Sequence, residues 1–180
     1  MSTKITKMLK HIQSTKIVGI IFLLLFIGLC SCVSYTFSGA SIPKEAKTAS
    51  IKTFPNNASL VNPSLSSQFT EALRTKVQSQ SNLVLIGSGA DLTFDGEITQ
   101  YFTQPIAIQG DQTAALNRLT VTINVRYTNR FDEKQNFEQS FSRYLDYSSS
   151  KNLSEVESDL VNQINELLVE DIYNKAFVNW

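Results

Sequence analysis

Residues 118–128 have the sequence Arg-Leu-Thr-Val-Thr-Ile-Asn-Val-Arg-Tyr-Thr, in which every second side chain is apolar. Successive side chains of a β-strand point to opposite faces, so this alternation is typical of a strand with one buried and one wet face. The apolar set is Leu119, Val121, Ile123, Val125 and Tyr127. The stretch therefore predicts a sheet that is covered on one face only.

The segments around this stretch supply the other strands. We predict strands over 46–54, 92–103 and 137–147, because each alternates or is bounded by turn residues. In 92–103 the apolar face is predicted to carry Leu92, Phe94, Ile98 and Phe102. Residues 105–113 are predicted to form a loop, and Asp132-Glu133-Lys134 a turn.

Two stretches have helical periodicity. Asn62-Pro63 predicts an N-cap followed by proline at the first helical position, and the helix is predicted to run to about Gln80. Ser154 and Glu157 form a capping-box signature at the start of the second helix. The predicted apolar stripes are Leu65, Phe69, Leu73 and Val77, and then Val156, Leu160, Ile164, Leu167, Leu168 and Ile172.

The order of elements predicts an α+β fold. Two amphipathic helices would cover one face of a mixed sheet of about four strands, which makes a two-layer sandwich. The first strand-helix-strand unit is expected to join parallel strands, and the later strands to form antiparallel hairpins. We predict one α+β domain over 46–180, preceded by a tether over 32–45.

The start of the chain has the pattern of an export signal. Residues 17–29 are an apolar run, preceded by Lys4, Lys7, Lys10 and Lys16 with no acidic residue. The run is shorter than the ~20 residues that span a bilayer. A basic region followed by such a run is typical of a signal peptide, which we predict over 1–31.

The end of the signal resembles a bacterial lipobox, Leu29-Cys30-Ser31-Cys32. Cleavage before Cys32 would place small Ser31 in the peptidase pocket, and the thiol of Cys32 would take up lipid. Cys30 fits less well, because bulky Leu29 would occupy that pocket. The alternative is an ordinary cleaved signal followed by a cysteine without a role.

Composition excludes several chemistries for the predicted mature chain. Removing residues 1–31 leaves 149 residues with 12 basic and 16 acidic side chains, a formal charge of −4. This does not suggest a nucleic-acid binder, which is usually basic. The only histidine, His11, lies in the signal, and Cys32 would be acylated. Histidine-dependent and thiolate catalysis and His- or Cys-ligated metal sites are therefore not expected, and we predict no metal site and no catalytic residue.

A series of segments resembles a known family. After the lipobox come Tyr35-Thr36-Phe37-Ser38-Gly39 and Ser41-Ile42-Pro43, and later Ala58-Ser59-Leu60-Val61-Asn62-Pro63. Thr113-Ala114-Ala115-Leu116-Asn117-Arg118 and a Lys-Ala-Phe-Val-Asn-Trp end complete the series. Together they resemble the LptE-like lipopolysaccharide-assembly lipoproteins, in the branch found in Bacteroidota.

The resemblance implies a fold of two helices on a four-stranded mixed sheet, in agreement with the strand and helix patterns. It also implies an outer-membrane lipoprotein of the lipopolysaccharide translocon, which plugs a large β-barrel, LptD, assists its assembly and contacts lipopolysaccharide. The covalent N-acyl and diacylglyceryl lipid on Cys32 would be its only attached group, with no other cofactor. Val33-Ser34-Tyr35 follows Cys32 in place of an acidic cluster, so we expect it to face the periplasm from the inner leaflet.

Four cations are candidates for contact with lipopolysaccharide phosphates, because arginine matches phosphate oxygens in bidentate fashion. They are Arg118, Arg126, Arg130 and Lys134. Arg118 and Arg126 are about 26 Å apart along a strand and cannot hold one phosphate together. For any single one, a solvated arginine is the simpler interpretation.

Two other functions stay open on the sequence. The first is a purely structural barrel-assembly lipoprotein without glycolipid binding. The second is a periplasmic glycan hydrolase using Asp95 and Glu97, whose side-chain origins lie about 7 Å apart on a strand. No apolar pocket is evident to raise the pKa of either carboxyl, so a solvated pair is the simpler interpretation of these residues.

Overall fold

A computed structural model of the chain describes residues 42–60, 62–106 and 115–178. These residues belong to one unit, Ser38–Trp180. The strands are β1 (Thr48–Ile51), β2 (Val84–Leu85), β3 (Leu92–Ile106), β4 (Leu116–Asn129) and β5 (Phe137–Ser148). The helices are α1 (Leu65–Gln80) and α2 (Leu153–Phe177), with a 3-10 turn at Glu133–Gln135.

The strands form one mixed sheet in the order β2-β1-β3-β4-β5. β1 pairs in parallel with β2 and with β3, while β3, β4 and β5 pair antiparallel. The predicted α+β fold, with a parallel first unit and antiparallel hairpins after it, is confirmed. The sheet has five strands instead of about four, because the apolar run after α1 adds the two-residue β2.

The core lies between the sheet and the two helices. The five apolar residues that alternate along 119–127 are all fully buried. The four predicted stripe residues of α1 are also fully buried, since a spacing of four keeps them on one side of the helix. The helices also meet each other at the ion pair of Lys76 with Glu170. One face of the sheet is therefore covered, as the alternation predicts.

Leu167 departs from the predicted stripe of α2, since 42% of its surface is exposed. Its neighbour Leu168 is fully buried, as are Ile164 and Ile172 at spacings of four. Consecutive helical residues point about 100° apart, so Leu167 is turned away from the sheet. The prediction for Leu167 was wrong because the buried stripe continues on the other side of Leu168, through Asn165 and Val169.

β3 contains a bulge that the sequence pattern does not reveal. Ile98 pairs with Ile123 and Gln100 with Thr122, so Thr99 is an extra residue in β3. The alternation therefore changes phase, and Tyr101 is 2% exposed in the core while Phe102 lies half-buried on the opposite face. The prediction that Phe102 faces the core was wrong.

β3 also runs further than predicted, through Pro105 to Ile106. Pro105 pairs with Asn117 of β4. Within the described ranges, no strand pairs with the other side of β3 after Ile98. Proline is tolerated on such an edge, because its missing N–H is not needed there.

The two helix starts differ from the predictions. α1 begins at Leu65, and the Asn62 side chain accepts hydrogen bonds from the backbone and hydroxyl of Ser64 before the helix. α2 begins at Leu153 with Asn152 as the cap residue. Glu157 is not used as a capping-box residue, because its carboxylate accepts hydrogen bonds from Tyr101 and Asn62.

Several predictions fall outside the described residues. They are the signal peptide over 1–31, the lipid-bearing Cys32, most of the 32–45 tether and residues 107–113 of the predicted loop. In the described part of the chain, no helix has the length and apolar content needed to span a membrane.

Candidate functional site: the open sheet face

The face of the sheet opposite the helices is the candidate site, and we call it the open sheet face. Alternation turns the even-numbered residues of β4 and β5 to this side, together with their partners on β3. Its members are Thr93, Asp95, Glu97, Gln100, Phe102, Gln104, Arg118, Thr120, Thr122, Asn124, Arg126, Thr128, Glu138, Ser140, Ser142, Tyr144 and Asp146. Most are polar, so this face is hydrated.

At one end of the open sheet face, oppositely charged residues from neighbouring segments lie side by side. Lys52, just after β1, lies 2.6 Å from Asp95, and Arg126 lies 3.2 Å from Glu138. The ammonium of Lys52 lowers the pKa of Asp95. Hydrogen bonds from Asn124 and then Arg126 lower the pKa of Glu138. Asp95 and Glu138 are therefore each paired with a cation from a neighbouring segment of the sheet.

Arg118 lies at the other end of the face. It donates two hydrogen bonds to Asp146, of 2.7 and 3.0 Å, and its guanidinium lies 3.6 Å from the centre of the Tyr144 ring. The Arg118 guanidinium lowers the pKa of Asp146. Tyr144 is 51% exposed, so an aromatic surface accompanies the ion pair. A stacked, bidentate arginine is held in one orientation.

The structure does not bring the four predicted cations together. Arg126, Arg130 and Lys134 lie towards the turn between β4 and β5, whereas Arg118 lies near the start of β4. Arg130 and Lys134 are exposed, and their side chains form no ion pair within the described residues. Arg118 and Arg126 are already paired, so an anionic ligand would have to share them with carboxylates.

The carboxylates proposed for hydrolysis have other partners. Asp95 is bound to Lys52, and Glu97 accepts a 2.5 Å hydrogen bond from Asn57. A general acid needs a raised pKa, whereas the pKa of Asp95 is lowered. Among the described residues, no group of His, Cys, Asp and Glu could hold a metal ion.

One polar cluster on the helix side was missed. Tyr101 of β3 and Asn62 before α1 both donate to Glu157 of α2. Burial, and then the neighbouring carboxylate, raise the pKa of Tyr101. The Ser154–Glu157 spacing suggests a local partner for Glu157. No sequence signal points to Asn62 and Tyr101, which lie about a hundred and about fifty positions away.

On the helix side of β5, Arg143 behaves differently from the four candidates. It shares a face with Phe141 and Leu145, as the alternation predicts, and its guanidinium binds Asp171 of α2 with two hydrogen bonds of 2.6 Å. This bidentate pair joins the edge of the sheet to α2. Arg143 therefore has a structural contact on the covered side.

The fold and this surface define a class: a two-layer α+β domain whose helices cover one side of the sheet and whose other side, among the residues that the structure describes, is polar, ion-paired and uncovered. The sequence matches the family model described as LptE, lipopolysaccharide-assembly, over residues 46–176. The chain belongs to this family. The match confirms the resemblance identified from the residues, and it spans all five strands and nearly all of both helices.

Solved structures with a similar arrangement are distant. A minor lipoprotein from Acinetobacter baumannii is 13% identical, with a TM-score of 0.49 over 72% of this chain and 91% of that one. A hypothetical protein from Chlamydia trachomatis is 12% identical, with a TM-score of 0.49 over 74% and 99%. Lipoprotein B from Nitrosomonas europaea is 11% identical, with a TM-score of 0.43 over 71% and 80%. No curated protein sequence matches. We draw no conclusion from likenesses at this level.

Proposed function

We propose that the protein is an outer-membrane lipoprotein subunit of the lipopolysaccharide translocon. It plugs a large LptD-like β-barrel, assists the assembly of that barrel and contacts lipopolysaccharide during its insertion. The observation that carries the proposal is the family match over residues 46–176. The role is non-enzymatic and needs no cofactor.

The proposed anchor is lipid on Cys32, with diacylglyceryl and N-acyl (palmitate-type) chains that hold the protein in the inner leaflet, facing the periplasm. One acyl chain holds a protein only marginally, whereas two or more anchor it stably. The first strand follows this anchor by 16 positions in the sequence, because β1 starts at Thr48. The domain is therefore kept near the membrane in which the barrel sits.

The open sheet face is the proposed contact with the barrel. The lumen of a wide barrel is polar, and a plug must present polar side chains to it. The open sheet face meets this requirement, because Asp95, Arg118 and Arg126 on it are ion-paired and its central residue Thr122 hydrogen-bonds to both Gln100 and Ser142. By contrast, the outer surface of α2, which is not proposed as the barrel contact, carries many carboxylates, among them Glu166 and Glu170.

The experiment is a site-specific photo-crosslink in the full-length protein in its own membrane. A photoreactive residue at exposed Thr128 tests the open sheet face, and one at exposed Gln163 of α2 is the matched control. We expect Thr128 to crosslink to a large β-barrel protein that also co-purifies in a one-to-one ratio. Crosslinks from Gln163 alone would assign the barrel contact to the helices, and recovery of no barrel would contradict the proposal.

Direct lipopolysaccharide contact is proposed for Arg118 and Arg126, with Arg130 and Lys134 as further candidates. Arg130 and Lys134 are exposed, and Arg118 has an aromatic neighbour for the sugar of a glycolipid. The pairing of Arg118 with Asp146 and of Arg126 with Glu138 favours a second candidate, a structural assembly role without glycolipid binding.

Binding of purified protein to lipopolysaccharide micelles distinguishes these two roles. The double substitution of Arg118→Gln and Arg126→Gln is compared with Lys44→Gln and Lys151→Gln, which remove the same charge outside the strands. For direct contact we expect weaker binding for the first pair only. Equal binding by both variants would support the structural role, provided that the barrel still co-purifies.

A further inference from the structure

The edges of the sheet are protected to different degrees. β2 forms one edge with only two residues, Val84 and Leu85. β3 forms another edge after Ile98, and this edge contains the bulge at Thr99 and also Pro105. Short strands, bulges and prolines all hinder the addition of a further strand. These two edges are therefore protected against pairing with another chain.

The edge formed by β5 has none of these protections. Its 12 residues pair with β4 along their whole length without a bulge, and they include no glycine, proline or lysine. The three charged residues Glu138, Arg143 and Asp146 are each held in an ion pair with another element of the fold. No strand in the described part of the chain pairs with the outer side of β5. The edge therefore offers a long, regular row of backbone groups.

One hydrogen bond determines which backbone groups of β5 point outwards. The Ser149 amide donates to the Ala115 carbonyl oxygen over 3.0 Å, and this pair continues the register of β5 on β4. In an antiparallel pair, residues that bond to the partner strand alternate with residues whose backbone groups point away from it. The odd-numbered residues of β5 therefore bond to β4. The N–H and C=O groups of Ser140, Ser142 and Tyr144 point outwards.

We propose that an extended segment of the barrel partner pairs with the outer edge of β5 as an added strand. The inference rests on the proposed function, because it names the part of the partner that this protein holds. Ser140, Ser142 and Tyr144 present side chains to the open sheet face and backbone groups to the edge, so the two surfaces are continuous. When the open sheet face lies in a lumen, the same partner encloses this edge.

The chemistry of the edge restricts the kind of segment. The wall strands of a closed barrel already use their backbone groups in pairing, so the segment is a loop or an end that leaves the wall. A peptide matches the repeat of about 7 Å between alternate residues of a strand, whereas sugars and acyl chains do not. The segment is uncharged, because the charges of the edge are already paired. Its polar side chains lie beside Ser140 and Ser142, and its apolar ones beside Phe141 and Leu145.

A proline substitution at the edge tests this pairing in the full-length protein in its own membrane. Ser140→Pro removes an outward N–H that β4 does not use, and Pro105 occupies an equivalent position in β3, so the fold should be kept. Ser140→Ala is the matched control, because it removes the same hydroxyl and keeps the N–H. We expect roughly tenfold less barrel to co-purify with Ser140→Pro than with Ser140→Ala or the parent. Thermal unfolding of both variants checks the fold.

Hydrogen exchange of the parent chain gives a second readout that needs no substitution. In the protein purified without the barrel, we expect the outward amides of Ser140, Ser142 and Tyr144 to exchange quickly. The inward amides of Phe141 and Arg143 should exchange slowly, because they bond to β4. In the purified complex with the barrel, the outward amides should slow by roughly tenfold or more.

The results distinguish failure of this inference from failure of the proposed function. Recovery of no barrel with the parent chain would contradict both. Equal barrel recovery by Ser140→Pro and Ser140→Ala, or unchanged exchange of the outward amides in the complex, would overturn the pairing and leave the proposed function standing. Protection of these amides by a second copy or by lipopolysaccharide, in the absence of a barrel, would also overturn the pairing.

Discussion

Glu157 has a different partner from the one its position in the sequence predicts. Three residues after Ser154 it has the spacing of a capping box, yet its carboxylate binds Tyr101 and Asn62. A buried tyrosine hydroxyl and a side-chain amide need acceptors, and here Glu157 from another element supplies one to both. The fold decides which partner a single polar residue has, because that partner can be distant in sequence.

Phe177 packs on three aromatic rings at the end of α2. Its ring centroid lies 5.0 Å from that of Tyr173, 5.8 Å from Phe94 and 6.0 Å from Tyr127, and the residue is 1% exposed. We expect Phe177→Ala to lower the free energy of unfolding by about 3–5 kcal/mol, because it leaves a cavity. Urea denaturation measures this. Leu167→Ala on the same helix is the control and should change stability by less than about 0.5 kcal/mol.

Asp91 gives stability that depends on pH. Its carboxylate accepts hydrogen bonds from the Lys47 and Thr48 amides and from the Thr48 hydroxyl, at 2.9, 3.0 and 2.8 Å. These donors, first of all the Lys47 amide, lower its pKa in the folded state. A lowered pKa stabilises the fold above the unfolded pKa of about 3.9, and this stability is lost as the pH falls through the folded pKa.

We therefore expect Asp91→Asn to be less stable than the parent at pH 7 and the difference to shrink below about pH 4. Thermal unfolding across this pH range measures the effect. Asp159→Asn, at an exposed position of α2, is the control for removing one carboxylate without removing the contacts to Lys47 and Thr48. If the stability difference between Asp91→Asn and the parent stayed constant with pH, the effect would come from the shape of the side chain and not from its charge.

At the level of the element, β3 consists of two halves in which the alternation of core-facing and open-face residues is offset by one residue. Before Thr99 the even-numbered residues face the helices, and after it the odd-numbered ones do. This lets Ile98 and Tyr101 both reach the core and places Phe102 on the open sheet face. Within β3 the sequence alternates weakly, so the pairing with β4, which alternates strictly, determines the phase.

Deleting Thr99 should be tolerated, because it removes the extra residue and still leaves Ile98 and Tyr101 on the core side. Deleting Glu97 should be much more damaging, because regular pairing with β4 would then turn Ile98 to the open sheet face and Thr99 into the core. We expect near-native unfolding by urea and near-ultraviolet dichroism for the first deletion and loss of cooperative unfolding for the second. Similar behaviour of both deletions would contradict the assignment of the bulge.

At the level of the whole molecule, the two sides have different chemistry. The helix side buries a continuous core, and the open sheet face carries paired charges and hydroxyl groups. The proposed position inside a barrel requires a stable domain that is also polar on its exposed sheet face. The proposed function depends on this division and on attachment to the membrane.

Attachment is predicted to depend on Cys32. We expect Cys32→Ser to abolish the lipid modification and release the protein from the membrane fraction, while Cys30→Ser, the matched control, leaves both unchanged. Intact mass spectrometry of the protein purified from membranes measures the added lipid. An unmodified amino terminus in the parent protein would contradict the lipoprotein assignment, and loss of the lipid in Cys30→Ser would move the attachment point.

The sequence by itself determined the layers of this protein. Strict alternation over 118–128 and the spacing of four in α1 are local patterns, and they specify which side of each element is buried, because burial of apolar surface dominates the folding energy. The segments that resemble the family could also be recognised from the sequence alone. Only the tertiary structure decided the phase change at Thr99, the partners of Glu157 and the pairing of Arg118 with Asp146. Each of these depends on which elements lie side by side, and strand order and register are fixed by packing between distant segments.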